Sequence, residues 1–232
     1  MTNPHWEQFS AAVPWFLDEG QVAEVRGSAP PGTWTLTSAD FARLFPQVQR
    51  LLQGAFVTPL QVTGTRYQLF SWALADGEDC AWLSPSPSAD PPSGLHPDHR
   101  TLLESFGGIV ERSNEPMWWI LNHNEVLTER EARYDGTFIR DYASAFEEER
   151  IPIEMEQFYS IAREANGNTT LGHRVSGAVI LFAPDHSFDY VQPLAGCPEY
   201  TLYRIPGAPT FREWVDRVAR QWHDGIEGRQ AR

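Results

Sequence analysis

The 232-residue sequence predicts an α+β fold, an antiparallel sheet with helices packed on it, and three stretches carry that prediction. Residues 158–162 and 178–183 are apolar runs of strand length, punctuated by the turn signals Asn166-Gly167-Asn168 and Ser176-Gly177, the spacing of a three-stranded meander. Phe211, Trp214, Val215, Val218, Ala219 and Trp222 form an apolar stripe at helical spacing, started by a capping box of Thr210 and Glu213. Between them in character is 95–108, where Leu102, Leu103 and Phe106 face inward from a helix opened by Pro97 and Asp98. The pair Gly107-Gly108 is expected to end that helix.

The remaining elements follow in order. Trp6, Phe9, Val13 and Phe16 fall at helical spacing, with Pro14 a kink or restart, and 27–33 is rich enough in glycine and proline to be a loop. Ser38 is placed to cap a helix bearing Phe41, Leu44, Phe45, Val48, Leu51 and Leu52, broken at Pro46 and ended by Gly54. Phe56-Val57, residues 67–74 and residues 80–83 after the Asp76-Gly77 turn make a small sheet. Residues 84–94 hold too much proline and serine for either element and read as a linker. It divides an N-terminal α/β extension, 1–90, from a second domain, 95–225.

Beyond it, 116–122 is strand-like, 138–146 helical, and 199–205 another strand. In 178–183 both pleat faces are apolar, which places that strand in mid-sheet. Pro184 stops it, and the chain leaves the sheet through a corner carrying Asp185 and His186.

Composition bounds the function. The apolar runs fall short of the roughly 18 residues needed to span a bilayer, and the N-terminus lacks the basic start of a secretory signal, so a soluble cytoplasmic protein is expected. Two cysteines, Cys80 and Cys197, are too few for a disulfide framework and read as small apolar residues. A net charge of −13 with a pI near 4.9 argues against nucleic acid or an anionic membrane as partner, and permits a basic protein. No lysine occurs, which excludes a Schiff-base lysine and a Walker-type phosphate lysine.

Motifs for catalysis are missing: the chain has no Gly-x-Ser-x-Gly, no glycine-rich phosphate loop and no His-Glu-x-x-His. His96 and His99 stand three apart at a helix start, and His173 and His186 lie in the meander with Asp185 and Asp189, but without the ligand spacing of a metal motif. No catalytic residue, metal or cofactor is expected. At least half of the nine tryptophans are better explained as core than as pocket lining.

Residues 95–222 resemble the SUKH superfamily, the Smi/Knr-type domains. The resemblance rests on Leu95-His-Pro-Asp running to Leu103-Glu-Ser-Phe-Gly-Gly108, on Ile161-Ala-Arg-Glu-Ala-Asn-Gly-Asn168 with Ser176-Gly-Ala-Val-Ile-Leu181, and on Pro209-Thr-Phe-Arg-Glu-Trp-Val215. It implies an α+β fold with helices on a curved antiparallel sheet. It also implies a non-enzymatic immunity protein that neutralises a co-encoded toxin, one acting on nucleic acid, by stoichiometric binding. Residues 1–90 fall outside the resemblance.

A toxin that acts on nucleic acid needs a cationic face, which an acidic binder can cover. Charge and aromatic character outside the expected core make Asp185, His186, Asp189 and Tyr190, helped by Glu147 and Glu148, the candidate partner-binding face. The rival readings are a regulatory or scaffold module of the same fold, binding a cellular protein or a small ligand in a tryptophan-lined cleft, and a metal-dependent hydrolase using His173, Asp185 and His186.

Overall fold

Two antiparallel sheets carry the helices, and the main core lies between them. The computed structural model describes residues 3–34, 38–116, 123–134, 153–164, 167–184, 190–197 and 200–228. In order these form α1 (Pro4–Ala12), β1 (Ala23–Val25), α2 (Ala39–Leu44), α3 (Pro46–Gln53), β2 (Phe56–Val62), β3 (Thr65–Ala73), β4 (Asp79–Pro85), α4 (Pro97–Leu103) and β5 (Glu111–Ser113). There follow β6 (His123–Val126), β7 (Phe158–Glu164), β8 (Thr169–His173), β9 (Val179–Phe182), β10 (Gln192–Pro193), β11 (Leu202–Arg204) and α5 (Phe211–Ile226). The expected strand at 116–122 and the helix around 138–146 fall almost wholly outside the described residues.

The first sheet runs β1-β2-β3-β4-β5 and the second β10-β11-β9-β8-β7-β6. The α+β expectation holds, and the meander 158–182 is present as β7, β8 and β9. As expected, β9 lies inside its sheet, flanked by β8 and β11, with all four residues buried. Period-two alternation separates the faces. In the first sheet Val57, Phe70, Trp72, Cys80 and Trp82 point into the main core, while Leu60, Val62, Leu69, Ala81 and Leu83 meet Phe9 of α1 and Val13, which caps its C-terminal end.

Pro59 sits inside β2, which a proline can do only where no ladder donor is needed. Its carbonyl accepts from the Arg26 N–H on the β1 side, so the missing N–H also faces that side, just where the chain has left β1. The ladder to β3 is untouched.

The helices start and stop where the sequence marks them. Ser38 accepts from the Asp40 amide, Pro46 opens α3, and the Gly54 amide closes it onto Arg50 and Leu51. Both halves of the capping box at Thr210 and Glu213 are made, and the α5 stripe is buried throughout. One expectation is corrected: α4 ends at Leu103, before the glycine pair. Gly107 and Gly108 instead thread between the sheets, where a Cβ on Gly107 would lie 2.2 Å from the Pro85 carbonyl oxygen and one on Gly108 2.6 Å from the Leu127 carbonyl carbon. Gly108 also holds φ +84°. Gly108→Ala should cost about 1–3 kcal/mol of stability through strain and overlap with backbone that cannot yield. Urea unfolding measures that loss, and an unchanged midpoint would contradict the packing described.

Packing is continuous across the boundary expected at 84–94. Pro85 ends β4, the Ser88 amide donates to the Leu103 carbonyl at 2.9 Å, and the Gly94 carbonyl accepts from Arg174 at 2.6 Å. The largest buried cluster takes Phe41, Leu52, Trp72 and Trp82 from before this stretch and Leu102, Phe106 and Trp222 from after it. β5, from after it, also closes the first sheet by pairing with β4.

Candidate functional site

Of the expected partner face, Asp185, His186, Asp189, Glu147 and Glu148 lie outside the described residues. Tyr190 is described, half-buried and packed against the main core, and burial pushes its hydroxyl up to about 12. Its ring therefore belongs partly to the core it was expected to stand clear of.

Three of the described histidines, His96, His99 and His173, bond or pack within the fold. His99 is fully buried, its Nε2 3.0 Å from the Leu127 carbonyl and its Nδ1 3.2 Å from the Tyr159 hydroxyl. A carbonyl can only accept, so Nε2 carries the proton and Nδ1 accepts from Tyr159. This ties α4 to β7 and to the chain after β6. Three residues earlier, the Nδ1 of His96 accepts from the Asp98 amide at the start of α4. The His96 ring covers Gly177, where a Cβ would come within 2.8 Å of Nε2. Nδ1 of His173 accepts from the Val175 and Ser176 amides, and its Nε2 bonds Gln157 at 2.7 Å. Among the described residues no group of three His, Cys, Asp or Glu side chains is placed to hold a metal ion.

Burial lowers the His99 pKa from 6.5 to about 4, overriding the bond to Leu127, and the same cause acts in the same direction on His96. In the unfolded chain His99 takes its proton near pH 6.5, before the folded state does. Its contribution is therefore complete above pH 6.5 and is lost as pH falls towards 4. Across that window the loss is about 3 kcal/mol. Urea unfolding at pH 7.5 and pH 4.5 should show His99→Gln losing less stability on acidification than the wild type; equal losses would contradict the neutral, buried assignment.

Several clefts open on the surface of the described residues. One, about 400 Å³, lies where the sheets meet, between Tyr67, Leu103, Val110, Glu125, Glu129 and Arg130. Its charges are already matched: Arg130 bonds Glu125, and Arg133 reaches Glu129 at 2.9 Å, which also accepts from Ser88 at 2.8 Å. The Arg133 hydrogen bond lowers the Glu129 pKa. Another, about 540 Å³, lies beside His5, whose ring stacks on Phe56 and whose Nδ1 is 2.5 Å from Asp79. Neither has a tryptophan in its walls; a further cleft of about 280 Å³ has Trp34 in its wall beside Thr33, Val57 and Gln68, and Trp34, Trp72, Trp82, Trp214 and Trp222 all belong to the buried core. Both cysteines are free; Cys80 is buried, with its thiol pushed up to about 12 by desolvation, and Cys197 is half-buried.

The most exposed aromatic ring among the described residues is one that the sequence reading passed over. Trp15 is 67% exposed, and its Nε1 donates to Glu111 Oε2 at 2.9 Å. Its signal was present in the spacing itself, since Trp15 falls off the i, i+4, i+7 stripe of Phe9, Val13 and Phe16.

No helix among the described residues is long and apolar enough to cross a membrane. Comparison with protein-family models, with curated proteins and with solved structures found no match to this chain. Fold and surface together define an acidic α+β protein built on two antiparallel sheets.

Proposed function

We propose that this chain is a stoichiometric protein-binding module, an immunity protein that neutralises a co-encoded toxin acting on nucleic acid. Charge is the observation that carries the reading: 31 acidic residues against 18 arginines, a net −13. An enzyme that grips polyanionic nucleic acid presents a cationic face, and an acidic protein both steers towards that face and covers it. Supporting this, residues 95–222 resemble Smi/Knr-type domains, and an α+β fold is what that resemblance implies. The partner is a basic protein rather than nucleic acid, because phosphate binding needs clustered cations.

Co-expression with the product of the adjacent gene tests the reading. Growth rescue by this chain, scaling with its dose as one-to-one neutralisation requires, is the expected result. Unrelieved toxicity, or an adjacent product that is harmless without this chain, would remove it.

A further inference from the structure

Trp15 is fixed in place although it faces solvent. Its neighbour Phe16 turns inward, its ring edge-on to Phe9 at 6.3 Å and to Tyr67 at 5.8 Å. The loop after α1 is stitched by Phe16 N–H to the Val13 carbonyl, Gln21 N–H to the Asp18 carbonyl, and the Gln21 side-chain amide to the Asp18 carboxylate at 3.0 Å. From β5, Glu111 takes the indole N–H on one oxygen and the Arg112 amide, at 3.0 Å, on the other. The outcome is an indole face open to water, held at a set angle, with a carboxylate at its edge.

An indole face attracts a cation seated within about 6 Å of the ring centre, a guanidinium more often than an ammonium. A carboxylate alongside completes the match, since guanidinium pairs with carboxylate through charge-assisted hydrogen bonds. Trp15 lines none of the clefts described above. An open ring of this kind suits a protein surface, and tryptophan is enriched among the residues that carry interface energy. Because the loop is ordered before contact, little conformational entropy is lost on binding.

We propose that the Trp15 face and the Glu111 carboxylate together seat an arginine side chain of a basic protein partner, an inference that rests on the protein-binding reading above. The net charge of −13 favours such a partner, and the indole gives its arginine one defined position.

The test titrates a labelled hexa-arginine peptide, followed by fluorescence anisotropy, into the full chain and its variants. Trp15→Ala leaves the charge unchanged and should weaken binding about two- to fivefold, the range of an exposed cation–π contact. Glu111→Gln keeps an acceptor for the indole N–H but removes the charge, so it separates loss of pairing from loosening of the loop. It should weaken binding more than Glu78→Gln, the same charge change at the exposed β3–β4 turn. Equal affinities for wild type and Trp15→Ala, with Glu111→Gln matching Glu78→Gln, would overturn the proposal.

The same variants against the adjacent gene product keep the two readings apart. Undiminished binding by Trp15→Ala there would sink this surface and leave the protein-binding reading intact. Absent binding by the wild type would sink that reading, and the peptide titration would still decide whether Trp15 seats an arginine.

Discussion

Trp222→Ala is expected to remove about 3–5 kcal/mol of folding stability, the range for truncating a large buried aromatic. Trp222 is 1% exposed, with its ring 5.0 Å from Trp82 and 6.1 Å from Trp72, and those two rings stand 5.2 Å apart. Three indoles packed on one another cannot collapse into the space left by one of them, so the cavity persists and its cost adds to the lost burial. The contact also joins distant parts of the chain, because Trp72 and Trp82 lie on β3 and β4 while Trp222 lies on α5. With a total stability of about 5–15 kcal/mol typical of domains, this one change takes a large share. Urea unfolding followed by tryptophan fluorescence and by far-ultraviolet circular dichroism should give coincident transitions, both moved to lower urea. A loss below about 1 kcal/mol, small for a core truncation, would mean that α5 does not brace the first sheet.

A comparable effect is expected at Glu131. Its side chain is 2% exposed, accepts from the Ser160 hydroxyl, and pairs with Arg163 at 2.9 Å. The Arg163 guanidinium in turn lies over the Tyr134 ring at 4.2 Å. Glu131→Ala removes the acceptor from a buried hydroxyl and the counter-charge from an arginine that is only 34% exposed. Breaking a buried pair from one side costs about 3–5 kcal/mol, and the partial exposure of Arg163 puts the expected loss near the lower end. Glu131→Gln keeps an acceptor for Ser160 and should lose roughly half as much, since only the charge-assisted part of the interaction goes. Equal stability of Glu131→Ala and wild type in urea unfolding would mean that the network adds nothing to the fold.

Much of the fold could be read because periodicity and punctuation agreed. The α5 stripe, the meander 158–182 and the two helix starts at Ser38 and Pro46 each combine an apolar repeat with a residue that can only begin or end an element. The reading failed where pairing, and not pattern, makes the element. β1 and β5 are three residues each and gain their strand character from β2 and β4, which no local window reveals. β2 continues to Val62 through Pro59 and Gln61, residues that argue against a strand until the one-sided hydrogen bonding of Pro59 is known. The proline-rich stretch at 84–94 looked like a linker by composition, but its backbone is tied to Leu103 and to Arg174 by contacts remote in sequence.

The candidate surface was less legible still. Charge and aromatic content are properties of the whole chain, and they led to Tyr190, whose ring is half-buried. Exposure of a single indole is decided by its neighbours: Phe16 takes the inward place and Glu111, 96 residues further on, holds the indole N–H. Sequence could offer Trp15's place off the Phe9, Val13 and Phe16 stripe, and nothing in it could bring Glu111 alongside.

The central claim, stoichiometric recognition of a basic protein, is tested most directly by calorimetric titration of the purified chain with the purified product of the adjacent gene, at low and at high salt. The account predicts a one-to-one complex whose affinity falls as salt rises, because the opposed charges that draw the partners together are then screened. The absence of a complex at low salt, or an affinity unchanged between the two conditions, would contradict it.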